Sequence, residues 1–133
     1  MMTTATETAH TPDAILALFS QAMNRGDLDF ILTLYEDNAC LIPQSHQQPV
    51  HGKPAIRQAL QSFLALKARI DIQRTTTVQA GDIALLRSAW RLTGIGPDGS
   101  ALHMAHESTD VARCQSDGSW KIVIDHPFGA DPS

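Results

Sequence analysis

MNRGDLDFILTLYEDNACLIPQSHQQPVHGKPAIRQAL, residues 23–60, decides the fold: a helix stop, a short helix, a strand, a surface loop and a helix start follow one another within it. Gly26 closes a periodic apolar segment, where a helix ends in the left-handed conformation that a residue without Cβ adopts most readily. Asp27 is placed to cap a second, shorter helix with Leu28, Ile31, Leu32 and Tyr35 on one face. Asp37-Asn38 breaks that helix, and residues 39–42 read as a short strand stopped by Pro43, which has no N–H for a ladder. The polar run 44–49 is a surface loop. Val50-His51 forms a two-residue extended piece, and Gly52-Lys53-Pro54 opens a third helix with proline near its first turn.

Upstream, residues 1–11 lack an apolar period and read as a frayed tail, and Thr11-Pro12-Asp13 supplies a cap, a first-turn proline and a negative charge. Ile15, Leu18, Phe19, Ala22 and Met23 recur at spacings of three and four, which predicts a helix running to about residue 25. Downstream, helix three is expected over 54–68 with Ile56, Leu60, Phe63, Leu64 and Lys67 on related faces. Four strands follow: a Thr-rich one over 70–79, then 83–93, 101–114 and 120–125, separated by Ala80-Gly81-Asp82, Pro97-Asp98-Gly99 and Asp117-Gly118 turns. Short turns make these strands an antiparallel meander, and three preceding helices cover one of its faces. Residues 12–128 are therefore one α+β domain, with 129–133 a C-terminal tail.

A chain of 133 residues, 43% hydrophobic, is large enough to bury about two thirds of its unfolded surface. Ten Lys and Arg against fourteen Asp and Glu give a net charge of −4 without a basic cluster, so no nucleic acid is expected as a partner. No apolar run approaches the ~18 to 20 residues that span a bilayer, and residues 1–10 lack a basic start and an apolar core; the expectation is no membrane and a cytoplasmic location. Cys40 and Cys114 belong to no CxxC pair and read as buried free thiols.

Asn24-Arg25-Gly26-Asp27, Leu34-Tyr35-Glu36-Asp37-Asn38-Ala39 and Val50-His51-Gly52-Lys53 resemble the NTF2-like superfamily, which includes ketosteroid isomerases and SnoaL-like polyketide cyclases. Pro97-Asp98-Gly99, Asp117-Gly118-Ser119-Trp120-Lys121-Ile122 and Asp125-His126-Pro127-Phe128 look like the branch of small domains that mostly lack an assigned reaction. The resemblance spans roughly 12–128. It implies a cone of three N-terminal helices packed on a strongly curved antiparallel sheet, with a pocket where the layers splay. It implies no particular chemistry, because the superfamily holds enzymes and association domains alike. The uncovered sheet face, to which Thr75, Thr77, Leu85, Trp120 and Ile122 are assigned, would be buried against a second copy, making a homodimer.

Set beside the ketosteroid isomerases, the place of the catalytic Asp base holds Ile42, Pro43 and Gln44, and the oxyanion-hole Tyr of helix one falls on Phe19. The second oxyanion donor matches Asp110 of Asp110-Val111-Ala112-Arg113, and Tyr35 matches a pocket Tyr. The resemblance thus implies that steroid isomerisation by that mechanism is absent.

If Asp110 faces the pocket, strand alternation turns Ser108, His106 and Met104 the same way and Glu107, Thr109 and Arg113 outward. The same register turns Lys121, Val123 and Asp125 inward with Trp120, Ile122 and Ile124 outward, and Ser88, Trp90 and Leu92 inward. The expected catalytic group is Asp125, His106 and Asp110, in a cavity walled by Trp90, Tyr35, Phe19, Ser108 and Val123 with His126 at its rim. Such a group can divide general acid and general base between its members; equally, His106 and Asp125 can simply hydrogen-bond each other or the backbone. His103 and His106 fall on opposite faces of a strand and cannot chelate together, and His46 and His51 read as solvated loop residues, so no metal and no cofactor are expected. Two functional classes remain: a cofactor-independent enzyme acting on a small apolar or carbonyl-containing ligand, with Asp110 or Tyr35 as donor to a developing oxyanion, and a non-catalytic ligand-binding or association module.

Overall fold

The computed structural model describes residues 8–44 and 47–129. Helices α1 (Ala14–Asn24), α2 (Leu28–Thr33) and α3 (Lys53–Leu64) pack on one face of a curved sheet formed by β1 (Tyr35–Leu41), β2 (Val50–His51), β3 (Arg69–Ala80), β4 (Ile83–Ile95), β5 (Ala101–Cys114) and β6 (Trp120–His126). The strand order is β2-β1-β6-β5-β4-β3. The meander β3–β6 is antiparallel as expected, while β1 enters beside β6 in parallel. That single parallel pairing carries the chain from the helical layer to the middle of the sheet.

The second helix ends two residues before Tyr35, so Tyr35 opens a strand rather than closing a helical stripe. Asp27 caps α2 as its position suggests, its carboxylate accepting from Phe30 N–H at 3.1 Å. The cap expected from Thr11 is absent: α1 starts at Asp13 with no side-chain acceptor and is led in by the Ala14 N–H to Thr11 carbonyl turn. Gly52 precedes α3 at φ +86, where a Cβ would be strained. Gly94 allows close approach of a different kind, since a Cβ there would stand 2.8 Å from the Leu66 carbonyl oxygen.

Of the tail expected over 1–11, residues 1–7 lie outside the described residues. Ala9 is buried and its carbonyl accepts from Trp120 N–H at 2.8 Å, so the chain is already docked there. Within the expected C-terminal tail, 130–133 also lie outside the described residues.

The core joins α1 (Ile15, Leu16), α2 (Ile31, Leu32), α3 (Ile56, Leu60) and the inner sheet face (Leu86, Ile122). Each such large apolar side chain, fully buried, contributes on the order of 1.5 to 3 kcal/mol. Two residues expected on the outer face, Trp120 and Ile122, belong to this core, 6% and 1% exposed. The cause is a bulge in β6: Val111 pairs with Ile124 and Ala112 with Ile122, leaving Val123 without a partner on β5. The extra residue reverses the inward phase between Ile122 and Ile124. Trp120, Ile122 and Asp125 consequently all face in, Ile124 is exposed, and the inward placement of Lys121 and Val123 is corrected. A second bulge, between Ile72 and Arg74, brings Thr75 and Thr77 opposite inward-facing Ser88 and Leu86, so these threonines leave the outer face too. Leu85 alone of the five residues assigned there remains on it, partly exposed.

Candidate functional site

Between the helices and the inner sheet face lies a cavity of about 70 Å³, several times the ~10–15 Å³ needed by one buried water. Its wall is largely apolar, with Phe19 from α1, Phe63 from α3, Ile72 from β3 and Trp90 from β4. Trp90 is fixed from outside, its indole N–H donating to the Pro127 carbonyl at 2.8 Å. Four polar side chains reach the wall, and they come in two pairs set by strand register. Asp110 of β5 stands directly opposite Asp125 of β6, and Ser108 of β5 directly opposite Ser88 of β4.

The acidic pair is the electrostatic centre. Both carboxyls are buried, at 4% and 6% exposed, and they hydrogen-bond each other. Asp110 also accepts from His126 N–H at 3.1 Å, and Asp125 accepts from the Tyr35 hydroxyl at 2.5 Å. Burial, and then the charge of Asp125, hold the Asp110 carboxyl well above the usual carboxylate range. Burial raises Asp125 as well, but hydrogen bonds from Asp110 and Tyr35 pull it back down. Both carboxyls are thus raised, Asp110 the more strongly, so a single proton on the pair sits on Asp110 in preference to Asp125. Tyr35, fully buried beside this charge, has its phenol held well above 10, first by desolvation and then by Asp125, and so it stays a donor.

Asp110, Asp125, Trp90, Phe19 and Ser108 therefore line one cavity, as their sequence positions suggest. Tyr35 lies behind the wall and acts on it through Asp125. Val123 is off the wall, displaced by the β6 bulge, and Ile122 takes its place. His106 has the expected inward register but sits four residues from Asp110 on β5, roughly 13 Å of strand rise away. It packs against the rings of Trp90 and Phe128, with centroids at 5.2 and 4.7 Å, and the structure does not bring it to Asp125. His126 meets the site through its backbone N–H. His51 is exposed, His103 points out from the sheet, and His46 lies outside the described residues. Cys40 and Cys114 are free but only partly buried, rather than buried as expected; burial, then the charge of Asp125, raises the Cys40 thiol.

Ser88 had its inward register but no partner assigned by sequence. Its Oγ lies 2.6 Å from that of Ser108. The available signal was a small polar residue at an inward position on each of two strands joined by a short turn.

A SnoaL-like domain pattern matches residues 15–123, which is most of the chain. The protein belongs to the SnoaL-like family. Solved structures share this fold: a candidate calcium/calmodulin dependent protein kinase II association domain from Xanthomonas campestris has a TM-score of 0.75 at 20% identity, covering 94% of this chain and 95% of its own. A candidate dehydratase of the NTF2-like family from Streptomyces avermitilis has a TM-score of 0.74 at 17% identity, covering 86% and 90%. A ketosteroid isomerase-like protein from Erwinia carotovora atroseptica has a TM-score of 0.71 at 20% identity, covering 85% and 88%. At these identities the likeness shows the NTF2-like fold alone. No curated protein matches the chain. Among the described residues of this SnoaL-like domain, no helix is long and apolar enough to cross a membrane.

Proposed function

We propose that this SnoaL-like protein is a cofactor-independent acid–base enzyme of the cytoplasm, acting on a small, largely apolar carbonyl compound. The observation that carries the reading is the buried Asp110–Asp125 pair on the wall of an apolar cavity, with Tyr35 donating to Asp125. In this scheme the ionised Asp125 removes a proton from the carbon beside the carbonyl. The C–H electron pair moves into the enolate, a new O–H forms on Asp125, and the single O–H of Asp110, which donates to Asp125 in the resting site, turns to donate to the developing oxyanion instead. Returning the proton from Asp125 to the same or a neighbouring carbon leaves the enzyme unchanged. Tyr35 tunes the base from behind. His106, Trp90 and Phe128 form an aromatic flank of the substrate region rather than part of the proton path.

The test is deuterium uptake from D₂O into β-tetralone, whose α-hydrogens are acidic enough to serve as a general probe. Uptake above the buffer rate, reduced at least ~100-fold in Asp125→Asn, is expected. Undiminished uptake in that variant sinks the assignment.

A second reading, a non-catalytic association module, draws on the outer sheet face. Val78, Leu85, Val111 and Ile124 stand directly opposite one another in a single apolar row across β3–β6. Val78 is 61% and Ile124 39% exposed. The neighbouring outward rows carry Arg87 on one side and Arg113 and Lys121 on the other, and one row beyond Arg87, Arg74 lies within 3.9 Å of Glu107. Such a face can complement itself about a two-fold axis, which favours a homodimer. Tight binding of β-tetralone without deuterium uptake would favour this reading over the enzyme.

A further inference from the structure

The cavity's polar side chains fall into two stations rather than one. The acidic station is Asp110–Asp125; the second is Ser88–Ser108, one row along the sheet. Both serines are buried, 5% and 4% exposed; Thr75 stands opposite Ser88 on β3, and the cavity residues Ile72, Trp90 and Leu92 on the same wall are apolar. The two hydroxyls own two hydrogens, and a Ser–Ser hydrogen bond at 2.6 Å uses one. The hydroxyl that accepts in that bond keeps its own hydrogen. That hydrogen is strengthened as a donor by the bond its oxygen receives, and both serines line the cavity.

We propose that Ser88 and Ser108 form a receiving site for a second oxygen on the ligand, so that the pocket selects a single-ring aromatic ketone oxygenated at its far end. The inference rests on the reading of Asp110 as donor to the ligand's carbonyl. Ser108 and Asp110 are alternate residues on one strand and on one face, so the two stations lie about 6.6 Å apart. An acyl group and a hydroxyl placed para on a benzene ring span a comparable distance; a meta arrangement is shorter. The rest of the wall, with Phe19, Phe63, Ile72 and Trp90, is apolar and suited to the ring itself.

The experiment titrates the full-length protein calorimetrically with acetophenone, para-hydroxyacetophenone and meta-hydroxyacetophenone. The para compound is expected to bind about tenfold tighter than acetophenone, the worth of one added buried hydrogen bond, and the meta compound to show no such preference. In Ser88→Ala/Ser108→Ala the ratio of para to parent affinity should fall to about one. The double variant removes both partners together and leaves no orphaned hydroxyl, so the strands are expected to fold normally, which a circular-dichroism melt checks. A ratio that survives the double variant, equal para and meta affinities, or no preference in the parent protein would each overturn the serine station. Asp125-dependent deuterium uptake would then still stand for the acidic station by itself. If none of the three compounds binds, the serine station and the apolar-carbonyl reading fall together.

Discussion

The hydroxyl of Tyr35, the first residue of β1, donates at 2.5 Å to the carboxylate of Asp125 near the end of β6, and neither side chain is more than 6% exposed. A phenol with no route to solvent thus carries part of a buried negative charge.

Tyr35→Phe removes that donor while keeping the ring. The loss should destabilise the fold by about 1 to 3 kcal/mol, the cost of leaving a buried charged acceptor short of a partner. It should also raise Asp125 further, because the Tyr35 bond is one of the influences lowering it. Urea unfolding measures the first effect. The second appears as an upward shift in the acidic limb of the pH profile for deuterium uptake.

Asp110 holds its proton in the folded state to a higher pH than in the unfolded chain, where its pKa is near 3.8. The folded form therefore binds more protons between 3.8 and the raised value. Asp110's contribution to stability is complete below 3.8 and is lost as pH rises through that window. Asp110→Asn abolishes the titration. Unfolding midpoints in urea, taken at successive pH values, should show the parent losing stability relative to Asp110→Asn on going up from pH 4; a constant difference between the two contradicts the assignment.

Asn24, at the end of α1, accepts from Ile70 N–H at 2.7 Å and donates to the Ile70 carbonyl at 3.0 Å, serving β3 as a missing strand would. Asn24→Ala should cost roughly 1 to 3 kcal/mol for two backbone-directed bonds. Amide exchange at Ile70 is expected to accelerate more than at Leu92 on the neighbouring strand.

Charges placed on the apolar outer row should separate a dimer without disturbing the cavity. Leu85→Lys and Ile124→Lys, both at partly exposed positions, are each expected to convert a dimer to a monomer in sedimentation at micromolar concentration, with thermal midpoints of the monomer little changed. A parent protein that already sediments as a monomer contradicts the homodimer.

Most of the architecture could be read from local signals. Gly26, Asp27, Pro43, Gly52 and the two Asp-Gly turns mark element ends by backbone chemistry, and periodic Ile and Leu identify the helices that cover the sheet. The inward faces of β4 and β5 followed from simple alternation, which places Ser88, Trp90, Ser108 and Asp110 on the cavity wall. Alternation failed at β6 and β3, where a bulge adds one residue. A bulge leaves no local signature in Ile-Val-Ile or Ile-Gln-Arg, since it is selected by what the strand must bury at each end. The same limit concealed Tyr35, whose helical spacing from Ile31 and Leu32 is real but yields to strand pairing with Ile122. His106 shows the converse: correct face, but a row too distant to meet Asp125.

The unpaired Val123 also divides β6 into two segments under separate selection. Trp120 and Ile122, before it, answer to the volume of the core; Asp125, after it, answers to the cavity. What evolution must preserve at residue 123 is the presence of a residue rather than its kind, because removing one would swing either the core pair or the carboxylate to the other side. A domain built this way can exchange its chemistry beyond residue 123 without rewriting its foundations, provided the count stays the same.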